Sequence, residues 1–262
     1  MQHLQVLIIA VLAGFFVAAA PAAPSAANAA DTAAPQTGVG APPPENAILL
    51  SQPAAEHLRA KRTGEPLSKE TGAGDDGVIT IIGSAKGVQT AASFTDFRLH
   101  VEWFSPPGGF GQLAGNSGVF MQGIYEIQVL GTPPAPYKIP NNEAGALYKA
   151  KAPDVNASTG PGTWQAYDVV FKAARYEGDQ RVSQATITVW WNGQLIHHQV
   201  PLAGGTSGGY PNDREKNLER INGVLAGPIY LQAHKSLAQG PVQYRNLWIK
   251  PITESITKPL ND

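Results

Sequence analysis

Two short stretches pair groups able to bind ligands and move protons: YEIQVL, residues 125–130, and IYLQAH, residues 229–234. Successive side chains of a strand point to opposite faces. Glu126 and Gln128 therefore share a face opposite Tyr125, Ile127 and Val129, and Gln232 and His234 share one opposite Leu231 and Ala233. In FRLHVEWF (97–104) His100 and Glu102 oppose Leu99, Val101 and Trp103. In VQYRNLWIK (242–250) Arg245 opposes Tyr244, Asn246 and Trp248. Carboxylates and imidazoles are the usual acids and bases; carboxamides and guanidinium groups supply hydrogen bonds to hydroxyls and oxyanions. Such faces are either ordinary solvated faces of an antiparallel sheet or the lining of a sugar-binding cleft. Solvated strands usually carry Lys, Thr and Ser, whereas these groups are short-reach and titratable, and the two readings stand level on this ground.

Other motifs weigh less. Gly115-Asn116-Ser117-Gly118 is a tight turn with two hydrogen-bonding side chains. His197-His198 suggests a metal pair, but neighbours in a strand face opposite ways, so no transition-metal site is expected. A structural calcium held by loop carbonyls and Asp or Asn stays open; no other cofactor is implied. The chain lacks H-E-x-x-H and P-loop fingerprints.

The elements that must position these residues are strands. GVITIIG (77–83), FRLHVEWF (97–104), SGVFMQ (117–122), YEIQVL (125–130), AYDVVFKA (166–173), ATITVWWNGQLIHHQV (185–200), GPIYLQAH (227–234) and VQYRNLWIK (242–250) recur without a long amphipathic helix. Asn192-Gly193 between apolar arms predicts a hairpin. A short helix is expected around 54–62. Eight or more short strands with long loops predict an all-β, two-sheet antiparallel jelly-roll sandwich. The two longest loops, 131–163 and 200–226, have the length of binding or lid elements.

Composition agrees. The 262 residues include 28 glycines and 22 prolines, which suit many turns, and no cysteine, which excludes disulfides and thiolate chemistry. A formal net charge of −1 without a basic run gives no reason to expect nucleic acid or an anionic membrane surface as partner. Residues 1–29 read as a signal peptide, with an apolar run from Leu4 to Ala20 and Ala27-Asn28-Ala29 as cleavage site, although the n-region has no Lys or Arg. The mature protein is thus expected in the periplasm or outside the cell, without stable membrane association. Residues 30–72 read as a Pro/Ala/Gly-rich linker and short lead-in, 73–252 as the sandwich and 253–262 as a tail.

In order, GNSGVF, YEIQVL, GALY, WQAYDVVF, NGQLIHH, GPIYLQAH and YRNLWIKP resemble the 3-keto-disaccharide hydrolase domain family, from about Gly77 to Pro251. Departures are Ala233-His234-Lys235, where the family usually has Asp-His-Gly, and a long 106–114. The resemblance implies an exported, concanavalin A-like jelly roll that cleaves a glycoside already oxidised at C3. A C3 ketone acidifies the C2 hydrogen, so a base can expel the C1 aglycone by elimination, with water adding later. On that reading His234 is the base by its ordinary pKa, with Glu126 as the base if burial raises its own, or as the group orienting His234. Asn116, Gln128 and Arg245 are candidate donors, and Gln232 and Glu102 further substrate contacts. The alternatives are direct hydrolysis by two carboxylates, pairing Glu126 with Glu102 or Asp168, and a non-catalytic carbohydrate-binding module.

Overall fold

Alternating apolar residues drive the chain into strands whose inner faces close on one core. In the computed structural model residues 37–109, 111–206, 209–234, 240–252 and 258–259 are described. In chain order the strands are β1 (Ile48–Leu49), β2 (Leu58–Ala60), β3 (Ile79–Thr80), β4 (Gly87–Thr90), β5 (Ala92–Ser93) and β6 (Phe97–Phe104). Then come β7 (Ser117–Met121), β8 (Tyr125–Val129), β9 (Trp164–Lys172), β10 (Arg175–Glu177), β11 (Gln180–Ser183) and β12 (Ala185–Trp191). The last are β13 (Gln194–Leu202), β14 (Glu219–Ile221), β15 (Val224–Ala226), β16 (Tyr230–Gln232), β17 (Gln243–Pro251) and β18 (Lys258–Pro259). Among the described residues, helix is confined to Ala54–His57 and short 3-10 turns.

A seven-stranded sheet runs β1-β17-β6-β9-β12-β13, with β3 also on β17. A five-stranded sheet runs β2-β4-β16-β7-β8, and smaller β11-β10-β15-β14 and β18-β5 pairings complete the fold. All these pairs are antiparallel. The two main sheets face each other across a core to which one gives Leu99, Val101, Tyr167, Ile187 and Trp191, the other Val88, Val119, Ile127 and Leu231. Trp103, Tyr167 and Trp191 touch ring to ring in it, with centroids 5.5–6.3 Å apart. The all-β sandwich expectation is what the structure has.

Two expectations about organisation change. The presumed linker and lead-in contributes structure: β1 pairs with β17, β2 edges the five-stranded sheet, and the amides of Gly38 and Gly40 donate to buried carboxylates. The expected helix shrinks to Ala54–His57 because the chain turns into β2 at Leu58. The long loop 200–226 contains the β14–β15 hairpin. At the Asn192-Gly193 turn both residues have positive φ, 49° and 83°, as a two-residue hairpin turn matched to strand twist requires. The expected signal peptide and most of the tail lie outside the described residues.

Candidate active site

The register of the five-stranded sheet decides which polar groups meet. Phe120 lies opposite both Glu126 on β8 and Tyr230 on β16; Gly118 lies opposite Gln128; Gly87 on β4 lies opposite Gln232. Because Val119, Ile127 and Leu231 point into the core, Gly118, Phe120, Glu126, Gln128, Tyr230 and Gln232 share the outward face. Of Glu126, Gln128, Gln232 and His234, expected to converge on one face, the register places the first three on this side of the sheet.

That face is not bathed in water at its centre. Glu126 is 4% and Gln128 2% exposed. Part of loop 131–163 lies along β8 as an extra edge: Gln128 N–H donates to Ala146 O at 2.9 Å, Gly145 N–H to Gln128 O at 3.1 Å, and Tyr148 N–H to Glu126 O at 3.1 Å. The Tyr167 hydroxyl fastens this edge, donating to Gln128 O and accepting from Gly145 N–H, both at 2.8 Å. By alternation Tyr148 stands beside Glu126. Glu126 N–H donates to the Thr206 hydroxyl at 2.6 Å, which ties in the other long loop.

Burial pushes the Glu126 carboxyl up to about 8, opposed only by the more distant charge of Lys149. Among the described residues no side chain donates a hydrogen bond to it. The carboxyl lies over Gly118, where a Cβ would stand 2.6 Å from Oε1. Glycine there leaves room for the acid. Gln128 is also under-used: Oε1 is buried without a partner among the described residues, and Nε2 makes only long contacts, 3.4 Å to Gln112 Oε1 and 3.5 Å to Asn142 O. Asn116 Nδ2 donates to Gln112 O and Oε1, and Gln112 Nε2 to Asn142 O at 2.7 Å. Asn116, Gln112 and Gln128 thus form one carboxamide wall. The motifs GNSG and GALY contain Gly118 and Tyr148 without pointing to a role for either, and Gln112 sits in the 106–114 insertion, whose unusual length was the available signal.

His234 lies beyond the end of β16, exposed, in a pocket with Lys61, Arg62, Gly83, Lys86, Tyr230 and Ala233. It shares the Tyr230 side of the sheet but no contact links it to Glu126. Glu102 and Arg245 are elsewhere. They project from β6 and β17 on the far face of the seven-stranded sheet, opposite Val101 and Tyr244, which are core residues. There Arg245 Nε donates to Glu102 Oε2 at 2.7 Å, and Asn246 Nδ2 and Gly40 N–H donate to Oε1 at 2.9 and 2.7 Å. His100 Nδ1 meets Asp168 Oδ1 at 2.7 Å, Gly38 N–H reaches Asp168 Oδ2, and the imidazole stacks on Trp248. Burial favours the neutral acid, but His100, Asn246, Gly40 and Arg245 outweigh it and hold Glu102 down at about 2.

This corrects three expectations. Glu102 and Arg245 are spent on each other and are not substrate contacts beside Glu126. A two-carboxylate pairing of Glu126 with Glu102 or Asp168 is unavailable, since the core separates them. Asn246 and Trp248 join the Arg245 side because the register shifts between Arg245 and Trp248, where Asn246 has φ 42°. A bulge adds one residue and resets the alternation, and Asn tolerates the left-handed conformation it needs. His197 and His198 do face apart: His197 is buried against Gly145 O at 2.8 Å and pushed down to about 4 by burial, while His198 is exposed.

Residues 57–250 match the model of the 3-keto-alpha-glucoside-1,2-lyase-like domain, and the chain belongs to that family. Its fold is similar to the crystal structure of a candidate glycosyl hydrolase from Parabacteroides distasonis ATCC 8503, 32% identical, with TM-score 0.64, covering 79% of this chain and 84% of that one. A second glycosyl hydrolase candidate from the same organism is 17% identical with TM-score 0.45, over 67% of this chain and 81% of its own. An alginate lyase, Aly36B, is 13% identical with TM-score 0.37, over 71% and 85%. No curated protein matches the chain. Among the described residues no helix is long and apolar enough to cross a membrane.

Proposed function

We propose that this chain is a carbohydrate-acting lyase that cleaves 3-keto-glycosides, with Glu126 as the base. The observation that carries this reading is a buried carboxyl whose pKa is lifted to about 8 and which no described side chain engages. Near neutral pH such a group is divided between acid and base, and as a carboxylate it is a far stronger base than an exposed glutamate. Glu126 takes the C2 proton; the C2–H electron pair becomes the C1=C2 double bond, conjugated with the C3 ketone. The C1–O pair leaves with the aglycone oxygen, which takes a proton from solvent water, and Glu126 exchanges its own proton with solvent. Water then adds across the double bond. Gln128 and the Asn116–Gln112 pair are suited to the sugar hydroxyls and the C3 oxyanion, because among the described residues Gln128 Oε1 has no partner and its amide is held only by long contacts. The role of base falls to Glu126 and not His234, because His234 is exposed and outside the Gln112–Asn116–Gln128 wall. The family membership supports the substrate class, and the apolar N-terminal run with its A-x-A site supports a periplasmic or secreted enzyme.

The test is incubation of purified protein with a 3-keto-glycoside and the same glycoside unoxidised, in D2O. Cleavage of the keto form alone, with deuterium at C2 of the product, is expected. Cleavage of the unoxidised sugar at a similar rate would overturn the elimination. Binding without cleavage of either would identify a carbohydrate-binding module.

A further inference from the structure

The proposed reaction uses one end of the outward face of the five-stranded sheet. At the other end, between β4 and β16, lies the pocket of about 560 Å³ lined by Lys61, Arg62, Gly83, Lys86, Tyr230, Ala233 and His234. That size is ample for a small substituted sugar. Among the described residues its charged and titratable lining consists of two lysines, an arginine and a histidine, with no acidic residue. In a chain of net charge −1 that segregation needs a reason.

Like charges held together repel, and proteins normally intersperse carboxylates to relieve this. Among the described residues the lysines with carboxylate partners are Lys69, Lys151 and Lys216; Lys61 and Lys86 are not among them. Although the Lys61 side chain as a whole is exposed, its ammonium stands 3.9 Å from the centroid of the Tyr230 ring, near Gln89 Oε1 at 3.4 Å. Partial burial lowers its pKa, and the charge of Arg214 lowers it further. Tyr230 builds the wall: its ring leans over Gly87, where a Cβ would meet it at 2.7 Å, and its hydroxyl donates to Lys86 O at 3.1 Å. The same ring touches Phe120 at 5.1 Å between centroids, and Phe120 pairs with Glu126. One face thus runs from the basic pocket to the proposed base.

We infer that this pocket is a subsite for an anionic group on the glycoside, a carboxylate or a sulfate or phosphate ester, so that the preferred substrates are acidic sugars. The inference rests on the sugar-cleft reading of Glu126. Strands β8 and β16 are two strand spacings apart, roughly 10 Å. The anion is therefore carried by a different part of the substrate from the carbon at which Glu126 acts. In this arrangement His234 is an anion contact at the pocket rim, and Lys61 and Lys86 supply the charge.

The test compares binding to the full chain of methyl glucuronide, glucose 6-sulfate, glucose 6-phosphate and neutral methyl glucoside, by calorimetry at low and at moderate salt. At least one acidic probe should bind about 10-fold or more tightly than the neutral one, and salt should erode that preference. The probe that gains most tells carboxylate from ester. A Lys61→Gln/Lys86→Gln variant should lose the preference. Equal binding of charged and neutral probes by the wild type at low salt would overturn the subsite, as would a preference that survives in a folded double variant. Cleavage of a neutral 3-keto-glycoside is scored separately. Cleavage without charge preference overturns the subsite alone; charge preference without cleavage of any 3-keto-glycoside upholds the subsite and overturns the elimination.

Discussion

Glu126 and Glu102 are the same residue type, both on strands and both nearly inaccessible, at 4% and 1% exposure. They titrate in opposite directions, one pushed up to about 8 and the other held at about 2. Burial disfavours charge at both, more heavily at Glu126, and at Glu102 the partners outweigh it. Glu102 has Arg245, Asn246, the Gly40 amide and a nearby imidazole; Glu126 has no donor among the described side chains. A fully partnered carboxylate holds a fold together, whereas an unpartnered one is held ready for something that arrives.

The largest expected effect separates the two at once. Glu126→Gln should lower kcat on a 3-keto-glycoside by about 10²–10⁴-fold while sugar binding persists, measured by steady-state cleavage and calorimetry. Wild-type turnover in that variant would remove Glu126 from the reaction. Glu102→Gln should do the reverse. It leaves Arg245 and His100 facing a neutral amide, and breaking a buried pair costs about 3–5 kcal/mol. Denaturant unfolding should register that loss, with kcat unchanged wherever the variant is folded.

The third expectation concerns pH. The folded value of Glu126 lies above its ordinary 4.5, so the folded protein holds a proton that the unfolded chain releases. The Glu126 contribution to stability is therefore present at low pH and lost as pH rises from 4.5 through 8. Glu126→Gln should flatten that decline and be the more stable protein at pH 8, by about 2–4 kcal/mol. Glu102 has the opposite sign: its contribution is present above 4.5 and lost as pH falls toward 2. Melting curves across pH of the wild type and both variants check this. Parallel slopes for the two glutamates would dissolve the contrast. The smallest effect belongs to Gly118→Ala, whose Cβ would meet Glu126 Oε1 at 2.6 Å and the Phe120 ring at 2.8 Å. It should displace the carboxyl and reduce kcat about 10-fold for roughly 1–3 kcal/mol of stability.

Much of this contrast was legible in strand periodicity and much was not. Alternation in YEIQVL and IYLQAH puts Glu126, Gln128 and Gln232 on outward faces, because register in a sheet with one buried face follows the apolar residues, and the pairing of β7 with both β8 and β16 makes those faces one. The same rule identifies Glu102 as facing away from Val101 but cannot say which sheet it belongs to, since each sheet has an outward face. The error at Asn246 and Trp248 has a local cause: a bulge changes parity, and nothing in YRNLWIK announces it beyond an Asn. Residues 37–41 were misread for a different reason. A Gly-rich stretch with only Val39 and Ala41 as apolar side chains looks unable to join a fold, yet it is attached through backbone amides, which composition does not register. The carboxamide wall is formed by residues from different loops, and only the folded chain brings Gln112 to Gln128.

The strap at 37–41 also orders events in time. Its contacts reach 130 residues forward to Asp168 and 205 forward to Asn246, and β1 just after it pairs with β17 near the far end of the chain. A ribosome releases the strap long before its partners. The seven-stranded sheet therefore cannot close until β17 has been made, and its two buried carboxylates stay in water until then. Such long-range closure makes for slow folding, with a window in which unpaired strand edges are open to other chains.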